Sequence, residues 1–365
     1  MTHSPLDPYA TLVVLSFGGP EAPEEVMPFL RRVTAGRGVP DDRLAEVAEH
    51  YYHFGGASPI NAQNRALVDA LSRELADRGI DRPVLLANRN SPPYVADVLA
   101  GLGDARVLVV ITSLLQGYSS CRQYREDLGM GSVGLPVRID KLPAYGAHPG
   151  VRSAMARLVA DSVTAAAQAD PDGRLHLICV AHSIPESADE SSGRPDQGGR
   201  AYSAGVHALA DAVTQAAAQA SGRELSTDVA WCSRSGPPHQ PWLEPDVGDR
   251  IRELAEAGVT SVVVAPVGFI SDHMEVVFDL DTEAAQAAEA AGVRFHRAPT
   301  LGTDPEFVAA LVDLALGRAA LARDESDGAE ALSGLPPADC PPDCCRGARA
   351  PRPARCATEE PANVR

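Results

Sequence analysis

Short apolar segments alternate with amphipathic helical segments along most of the chain, and this alternation limits the fold more than any other feature. Each apolar segment ends in a polar or Gly/Pro-rich loop. Such alternation is typical of parallel α/β architecture. The predicted strands are 12–17, 84–88, 107–112, 175–181, 229–232, 262–267 and 295–298. The predicted helices include 24–33, 61–78, 151–167, 204–218, 246–256 and 274–290.

The predicted strands fall into two groups along the chain. This grouping predicts an α/β fold of two similar doubly wound, Rossmann-like domains with parallel sheets facing a central cleft. The predicted domains are residues 8–150 and 151–322, followed by a Pro/Cys-rich tail, 323–365. Because ligands of such sheets bind beyond the carboxyl ends of the strands, we expect functional residues directly after strands. The tail is expected to be poorly ordered unless its cysteines bind a ligand.

Two helix starts carry clear sequence signals. Ser58-Pro59 and Asp304-Pro305 each place a capping residue before a proline that suits the first helical position.

Composition excludes several classes of function. The chain of 365 residues is 45% hydrophobic and 22% charged, which is typical of a globular protein, and its formal net charge is −17. This charge opposes binding to nucleic acid or to anionic membranes. The first residues lack the features of a signal peptide, and no apolar run reaches the roughly 18–20 residues that span a bilayer. We therefore expect a cytoplasmic protein without stable membrane association.

A histidine follows the predicted strand 175–181. His182 begins the sequence HSIP and would lie at the mouth of the cleft. Its neutral imidazole can accept a proton or bind a divalent metal near neutral pH. Taken alone, His182 is equally consistent with a histidine that only bonds a loop carbonyl.

Three carboxylates follow the predicted strand 262–267. Glu275, Asp279 and Glu283 are spaced i, i+4 and i+8 on the predicted helix, so they share one face of it. Like charges at this spacing destabilise a helix, and a solvated acidic face is the simplest explanation. Because the row begins where a cleft is expected, we favour a track that passes cations toward one carboxylate.

Several sequence motifs together resemble those of ferrochelatases, in particular the actinobacterial branch. They occur in the family's order over about residues 10–320: GGASPIN (55–61), YSSCRQYRE (118–126), HSIP (182–185), SRSGPP (233–238), PWLEPD (241–246) and GFISDHME (268–275). The resemblance implies a chelatase-type fold and insertion of Fe(II), as substrate, into a porphyrin. The expected product is coprohaem in haem biosynthesis, formed from coproporphyrin III.

The resemblance also implies roles for the residues after the strands. His182 would accept a pyrrole proton or bind iron, and Glu275 would act as its partner across the macrocycle. Which of the two binds iron first stays open. Asp279 and Glu283 would form the cation track behind Glu275, so all four residues are candidate metal ligands.

Other residues are carried over as substrate-binding candidates. In the family, residues that match Ser58 and Tyr124 touch the porphyrin. The alternatives are a helix cap for Ser58 and a core tyrosine for Tyr124. Arg37 and Arg122 are weaker candidates for the propionates, and by residue type both are more consistent with surface ion pairs.

The cysteines are unevenly distributed. Cys121, Cys179 and Cys232 stand alone in predicted elements and are expected to be buried free thiols. Cys340, Cys344, Cys345 and Cys356 crowd the tail and match the four thiolates of a [2Fe–2S] cluster, which some relatives hold. Relatives often take one ligand from the body of the protein, but helix 151–167 offers no cysteine. Zinc and an unliganded tail are the alternatives.

Alternatives to a coproporphyrin III ferrochelatase stay open. They are a protoporphyrin IX ferrochelatase, a cobalt chelatase on the same fold, and a tetrapyrrole-binding protein with reduced chelatase activity. Departures at Ser91, Pro92 and Gly117 beside the expected macrocycle rim would leave room for additional carboxylates. Besides the porphyrin, the expected partners are neighbouring enzymes of the haem pathway, through transient contacts.

Overall fold

Two four-stranded parallel sheets form the framework of the protein. The computed structural model describes residues 4–236, 239–341, 343–347, 352 and 354–355. The strands are β1 (Thr11–Ser16), β2 (Val84–Asn88), β3 (Arg106–Ile111), β4 (Arg138–Lys141), β5 (Leu175–His182), β6 (Ser226–Cys232), β7 (Ser261–Ala265) and β8 (Arg294–Arg297). The strand orders are β2-β1-β3-β4 and β6-β5-β7-β8, so the two sheets share one topology. The predicted α/β fold class is confirmed.

Helices cover the faces of both sheets. The α-helices are α1 (Pro23–Val33), α2 (Asp41–His53), α3 (Ile60–Asp77), α4 (Val95–Ala100), α5 (Gln123–Gly131), α6 (Pro149–Ala169), α7 (Glu186–Glu190), α8 (Ala201–Ser221), α9 (Val247–Glu256), α10 (Met274–Phe278), α11 (Ala285–Ala290), α12 (Pro305–Ala322) and α13 (Ser326–Ala331). Two π-helical segments, Tyr118–Arg122 and Asp279–Ala284, adjoin α5 and α11, and Pro195–Gln197 forms a short 3-10 helix.

Alternating side chains of the strands supply cores on both faces of each sheet. In β1, Leu12 and Val14 enter a core shared by both sheets, whereas Val13 and Leu15 enter a second core. All four are fully buried. A strand covered by helices on both faces reads as a continuous apolar run, which is why its position was predictable. The shared core, to which α3, α6, α8 and α12 contribute, joins the two halves. The domain boundary at residue 150 stays a prediction.

The crevice for a ligand lies where the strand order reverses. In the second sheet, β5 pairs with β6 on one side and with β7 on the other. Connections therefore leave β5 and β7 in opposite directions at their carboxyl ends and open a crevice there. β5 ends at His182, and the segment after β7 leads to α10.

The structure contains elements that the sequence did not predict. β4 is short and polar, but its Asp140 is fully buried because Tyr9 Oη and Arg106 Nε both donate to Oδ2 at 2.8 Å. The predicted helix 274–290 is interrupted by the π-helical segment Asp279–Ala284. Helices α2 and α13 were also absent from the prediction.

The two predicted helix starts have different outcomes. Asp304 caps α12 as expected, since its Oδ1 accepts from the backbone N–H groups of Glu306 and Phe307 at 3.1 and 3.3 Å. Helix α3 instead begins at Ile60, so Pro59 occupies the capping position and makes no side-chain cap hydrogen bond. None of the helices within the described ranges is both long enough and apolar enough to cross a membrane.

Candidate active site

His182 is fixed at the carboxyl end of β5 by its backbone. The Tyr202 hydroxyl donates to the His182 carbonyl at 2.8 Å, and Ser183 N–H donates to the Cys232 carbonyl at 2.7 Å. Tyr202 is buried on α8, and its role was not apparent from the sequence. The end of β5 is thus held from a neighbouring helix and from β6.

The imidazole of His182 has a preferred tautomer. Its Nδ1 lies 2.5 Å from the Ser183 carbonyl oxygen, which can only accept, so Nδ1 carries a proton. In the neutral ring, Nε2 then keeps its lone pair. This nitrogen faces Glu275 and can accept a proton or bind a metal.

Glu275 lies beside His182 in the structure, whereas the sequence predicted only that each residue follows a strand. His182 Nε2 and Glu275 Oε2 are 3.3 Å apart, with side-chain exposures of 33% and 53%. Both groups are therefore reachable from the crevice. The contact leaves no room for a macrocycle between them, so the expected placement of Glu275 across the macrocycle is wrong for this conformation.

The pKa values of the pair move in opposite directions. Burial acts to lower the pKa of His182, but the hydrogen bond and charge of Glu275 outweigh it and raise this pKa. Enclosure by the cleft walls acts to raise the pKa of Glu275, but His182, with help from His273 and His50, lowers it to about 2. The pair is a carboxylate beside an unusually basic imidazole.

Asp279 lies behind Glu275 at the start of the π-helical segment. It accepts a hydrogen bond from the Ser233 hydroxyl. Ser233 follows β6 with a φ of 63°, a left-handed conformation that an L-residue adopts at a cost. Burial raises the pKa of Asp279 to about 7 against the effect of this hydrogen bond, and the charges of Glu275 and Glu283 add to the rise. The three predicted carboxylates therefore act on one another electrostatically, although the helix between them is not regular.

Helix α2 of the first half contributes two residues that the sequence did not single out. The His50 ring stacks on Phe278 of α10 with centroids 3.8 Å apart and an interplanar angle of 9°. Burial, together with the charge of Glu275, raises the pKa of Tyr51. Both halves of the protein therefore meet beside Glu275. The sequence offered no reason to single out His50 or Tyr51, because α2 was not among the predicted helices.

Ser58 and Tyr124 lie within the first half. Ser58 is buried against Gly19, where an added Cβ would come within 2.7 Å of Ser58 Cβ. Tyr124 is buried, and the guanidinium of Arg89 lies 4.5 Å from its ring centroid. Porphyrin contact by these residues stays a prediction, and the burial of Tyr124 favours the core alternative.

Three tail cysteines are near a cysteine of the body. Cys344 Sγ and Cys345 Sγ are 3.6 Å apart and buried, and Cys344 also shares a hydrogen bond with Cys340. Burial is the main cause that raises the pKa of the Cys121 thiol, and the charges of Cys340 and Cys345 raise it further. The sequence missed Cys121 as a member of this group, and Cys356 lies outside the described residues.

Within the described ranges, no group of three or more His, Cys, Asp or Glu side chains is placed to hold a metal ion. The candidate active centre therefore consists of two residues in contact, His182 and Glu275. Asp279 lies next to this pair.

Comparison with known proteins decides the family. The ferrochelatase family model matches residues 9–319 of the chain. The chain belongs to the ferrochelatase family. The resemblance of its motifs is thereby confirmed.

Three relatives of this ferrochelatase-family chain carry the name coproporphyrin III ferrochelatase. The Streptomyces griseus protein is 46% identical, with 97% of this chain and 97% of that protein covered. The Leifsonia xyli protein is 45% identical, with coverage of 93% and 92%. The Mycobacteroides abscessus protein is 47% identical, with coverage of 84% and 87%.

Proposed function

We propose that the chain inserts Fe(II) into coproporphyrin III and releases coprohaem. The observation that carries the chemistry is the 3.3 Å contact between His182 Nε2 and Glu275 Oε2 at the edge of the crevice. The names of the relatives support the choice of porphyrin. Metallation must remove two pyrrole N–H protons, and a basic imidazole beside a carboxylate supplies acceptors for them.

In the proposed mechanism, His182 and Glu275 act on the same face of the macrocycle. The neutral His182 accepts the two pyrrole protons in turn at Nε2, because Nδ1 is committed to the Ser183 carbonyl, and releases each proton to water in the cleft. The adjacent carboxylate stabilises the imidazolium that forms. Fe(II), the second substrate, approaches from the side of Asp279 and Glu283, whose negative charge favours a cation. Which member of the pair first contacts iron stays open.

Asp279→Asn and Glu283→Gln are each expected to raise the KM for Fe(II) about fivefold and to change the KM for the porphyrin little. Loss of one charge several ångströms from a dication in a partly solvated cleft costs about 1 kcal/mol. Measurement at pH 8 is appropriate because the pKa of Asp279 is about 7 and its carboxylate is then mostly charged.

Asp281→Asn is the matched control for the cation track. Asp281 lies on the same segment, but it pairs with Arg297 at 2.8 Å. Unchanged Fe(II) kinetics in both track variants, with a slight gain in stability from relieved repulsion, would instead indicate a solvated acidic face.

The catalytic efficiency for coproporphyrin III is expected to exceed that for protoporphyrin IX by at least about tenfold, or roughly 1.4 kcal/mol. Coproporphyrin III has four propionates, two of which are vinyl groups in protoporphyrin IX. Anaerobic kinetics with both porphyrins in matched detergent test this directly. Equal efficiencies would reject the coproporphyrin preference, whereas tight porphyrin binding without Fe(II) or Co(II) insertion would indicate a tetrapyrrole-binding protein.

The porphyrin preference rests on the relatives more than on the predicted rim. Ser91 is buried and accepts a hydrogen bond from Gly19 N–H at 3.1 Å, and Gly117 is also buried. Pro92 is exposed. A Cβ on Gly18 would come within 2.4 Å of Ser91 Oγ, so the Ser91 side chain packs closely against the loop that follows β1. The expectation that Ser91 and Gly117 open the rim is therefore wrong.

We also propose that Cys121, Cys340, Cys344 and Cys345 gather around a [2Fe–2S] cluster when it binds, so that Cys121 replaces Cys356 in the predicted set. In the present conformation of the described residues these thiols are close but are not arranged as a ligand set. Such a cluster takes thiolates in pairs, and a φ of 53° at Cys345 accompanies the 3.6 Å approach of two successive thiols. The neighbouring charges felt by Cys121 support its inclusion. When bound, the cluster would supply one-electron chemistry or structural cross-linking. Zinc stays an alternative ligand of these thiols.

The remaining expectations on partners and location stay predictions. They are a cytoplasmic location and transient contacts with neighbouring enzymes of the haem pathway.

A further inference from the structure

The cysteine segment of the tail, residues 340–341 and 343–347, is held by the second half of the protein. Cys345 N–H donates to the Gly193 carbonyl at 2.9 Å, and Gly193 N–H donates to Cys345 Sγ at 3.2 Å. The Ser191 hydroxyl donates to the Arg346 carbonyl at 2.8 Å. These contacts fix one side of the segment.

Two buried arginines of the first half hold the other side. Arg122 and Arg125 are 3% and 1% exposed. Arg122 donates to the carbonyls of Cys344 and Arg352 at 3.4 and 3.2 Å. Arg125 Nη2 donates to the carbonyls of Cys340 and Pro341 at 3.3 and 3.5 Å. The expectation that Arg122 forms a surface ion pair is wrong, because its partner Glu126 is also buried.

The position of these arginines along the chain is informative. Arg122 ends the π-helical segment that contains Cys121, and Arg125 lies one turn further, in α5. The residues that bind the backbone of the cysteine segment therefore lie one and four positions after Cys121, the thiol that we propose as its co-ligand. A buried guanidinium requires acceptors for its N–H groups, and the carbonyls of the segment supply part of them, to Arg122 Nη1 and Arg125 Nη2.

We propose that Arg122 and Arg125 form a clamp that seats the cysteine segment beside Cys121. Arg122 and Arg125 act as positioning residues and do not bind the cluster themselves. Their role in cluster assembly rests on the [2Fe–2S] cluster proposed above. Because protein atoms make all of these hydrogen bonds, the clamp is expected to hold the segment in metal-free protein too.

The test uses the full metal-free chain under anaerobic reducing conditions. Cys344 and Cys345 are 1% exposed, so they should react slowly with N-ethylmaleimide in the wild type. In Arg125→Gln, both should react at least about tenfold faster, as mapped by peptide mass spectrometry, because charged hydrogen bonds that oppose local opening are lost. Arg200→Gln is the control, since Arg200 pairs with Glu190 at the surface.

A variant within the cysteine segment separates loss of the clamp from misfolding of the two domains, which form the body of the protein. A Cβ at Gly347 would lie 2.4 Å from Tyr118 Cε2, so Gly347→Ala should unseat the segment without altering a residue of the body. Faster labelling in this variant, with the thermal unfolding of the body unchanged, supports the seating. Labelling at the wild-type rate in a folded Arg125→Gln protein would overturn the clamp.

Reconstitution with ferric iron and sulfide then separates the two proposals. With ferric iron as the iron source, so that no oxidant is needed, the wild type should develop the visible absorption of a [2Fe–2S] cluster, and Arg125→Gln should develop less. A wild type without this absorption rejects the cluster and leaves the clamp to be judged by labelling. Equal absorption in both proteins would overturn the positioning role of the clamp.

Discussion

His182→Ala is expected to lower the rate of Fe(II) insertion by on the order of 10²–10⁴-fold and to leave coproporphyrin III binding within about threefold. The imidazole supplies the Nε2 that lies beside Glu275 in the crevice, because Nδ1 is bound to the Ser183 carbonyl. Its removal deletes a proton acceptor but little of the apolar surface that would contact a macrocycle. Binding and insertion should therefore separate.

Fluorescence quenching of the porphyrin measures binding, and anaerobic absorbance measures insertion. His207→Ala is the matched control, since His207 is an exposed histidine of α8. The assignment of His182 would be rejected if its variant inserted iron within about threefold of the wild-type rate. A parallel loss of porphyrin binding would assign His182 to substrate binding.

The convergence of His182 and Glu275 could be predicted because each follows a buried parallel strand. A continuous apolar run identifies such a strand, and parallel strands bring their carboxyl ends to one edge. The pairing of β5 with β7 then places the two residues together. Local pattern and general topology placed both residues at this edge of the sheet, whereas their roles came from the resemblance of the motifs.

Contacts between distant segments could not be predicted in the same way. The hydroxyl of Tyr202 and the left-handed backbone of Ser233 shape the site from residues with no local signal. In the sequence, Cys121 is an ordinary candidate for a buried thiol, and only the folded structure brings the tail cysteines near it. β4 was missed because its buried charges are offset by Tyr9 and Arg106, which lie far away in the sequence.

The prediction for the acidic segment 275–283 was also limited, because it assumed a regular α-helix. The i, i+4, i+8 pattern assumes an uninterrupted α-helix, but a π-helical segment begins at Asp279. Such segments depend on tertiary contacts and are frequent at functional sites. The carboxylates still influence one another, as the raised pKa of Asp279 indicates.

Glu275→Gln is expected to lower insertion by on the order of 10²-fold or more and to lower the pKa of His182. The hydrogen bond and charge of Glu275 raise that pKa, whereas burial, which lowers it, remains in the variant. A base acts only when deprotonated, so the rate rises as the pH passes upward through its pKa. The acid limb of the pH–rate profile should therefore shift to lower pH in the variant.

The plateau rate and the position of the acid limb together distinguish between two roles of Glu275. If the carboxylate only tuned His182, the more readily deprotonated imidazole of the variant would restore the rate at a suitable pH. If Glu275 also accepts a proton or contacts Fe(II), the plateau of the profile stays low at every pH, which is the outcome that we expect. NMR titration of His182 gives its pKa independently, and Glu289→Gln, an exposed change in α11, serves as the control. A plateau equal to that of the wild type would restrict Glu275 to electrostatic tuning, because the chemistry would then proceed without its carboxylate.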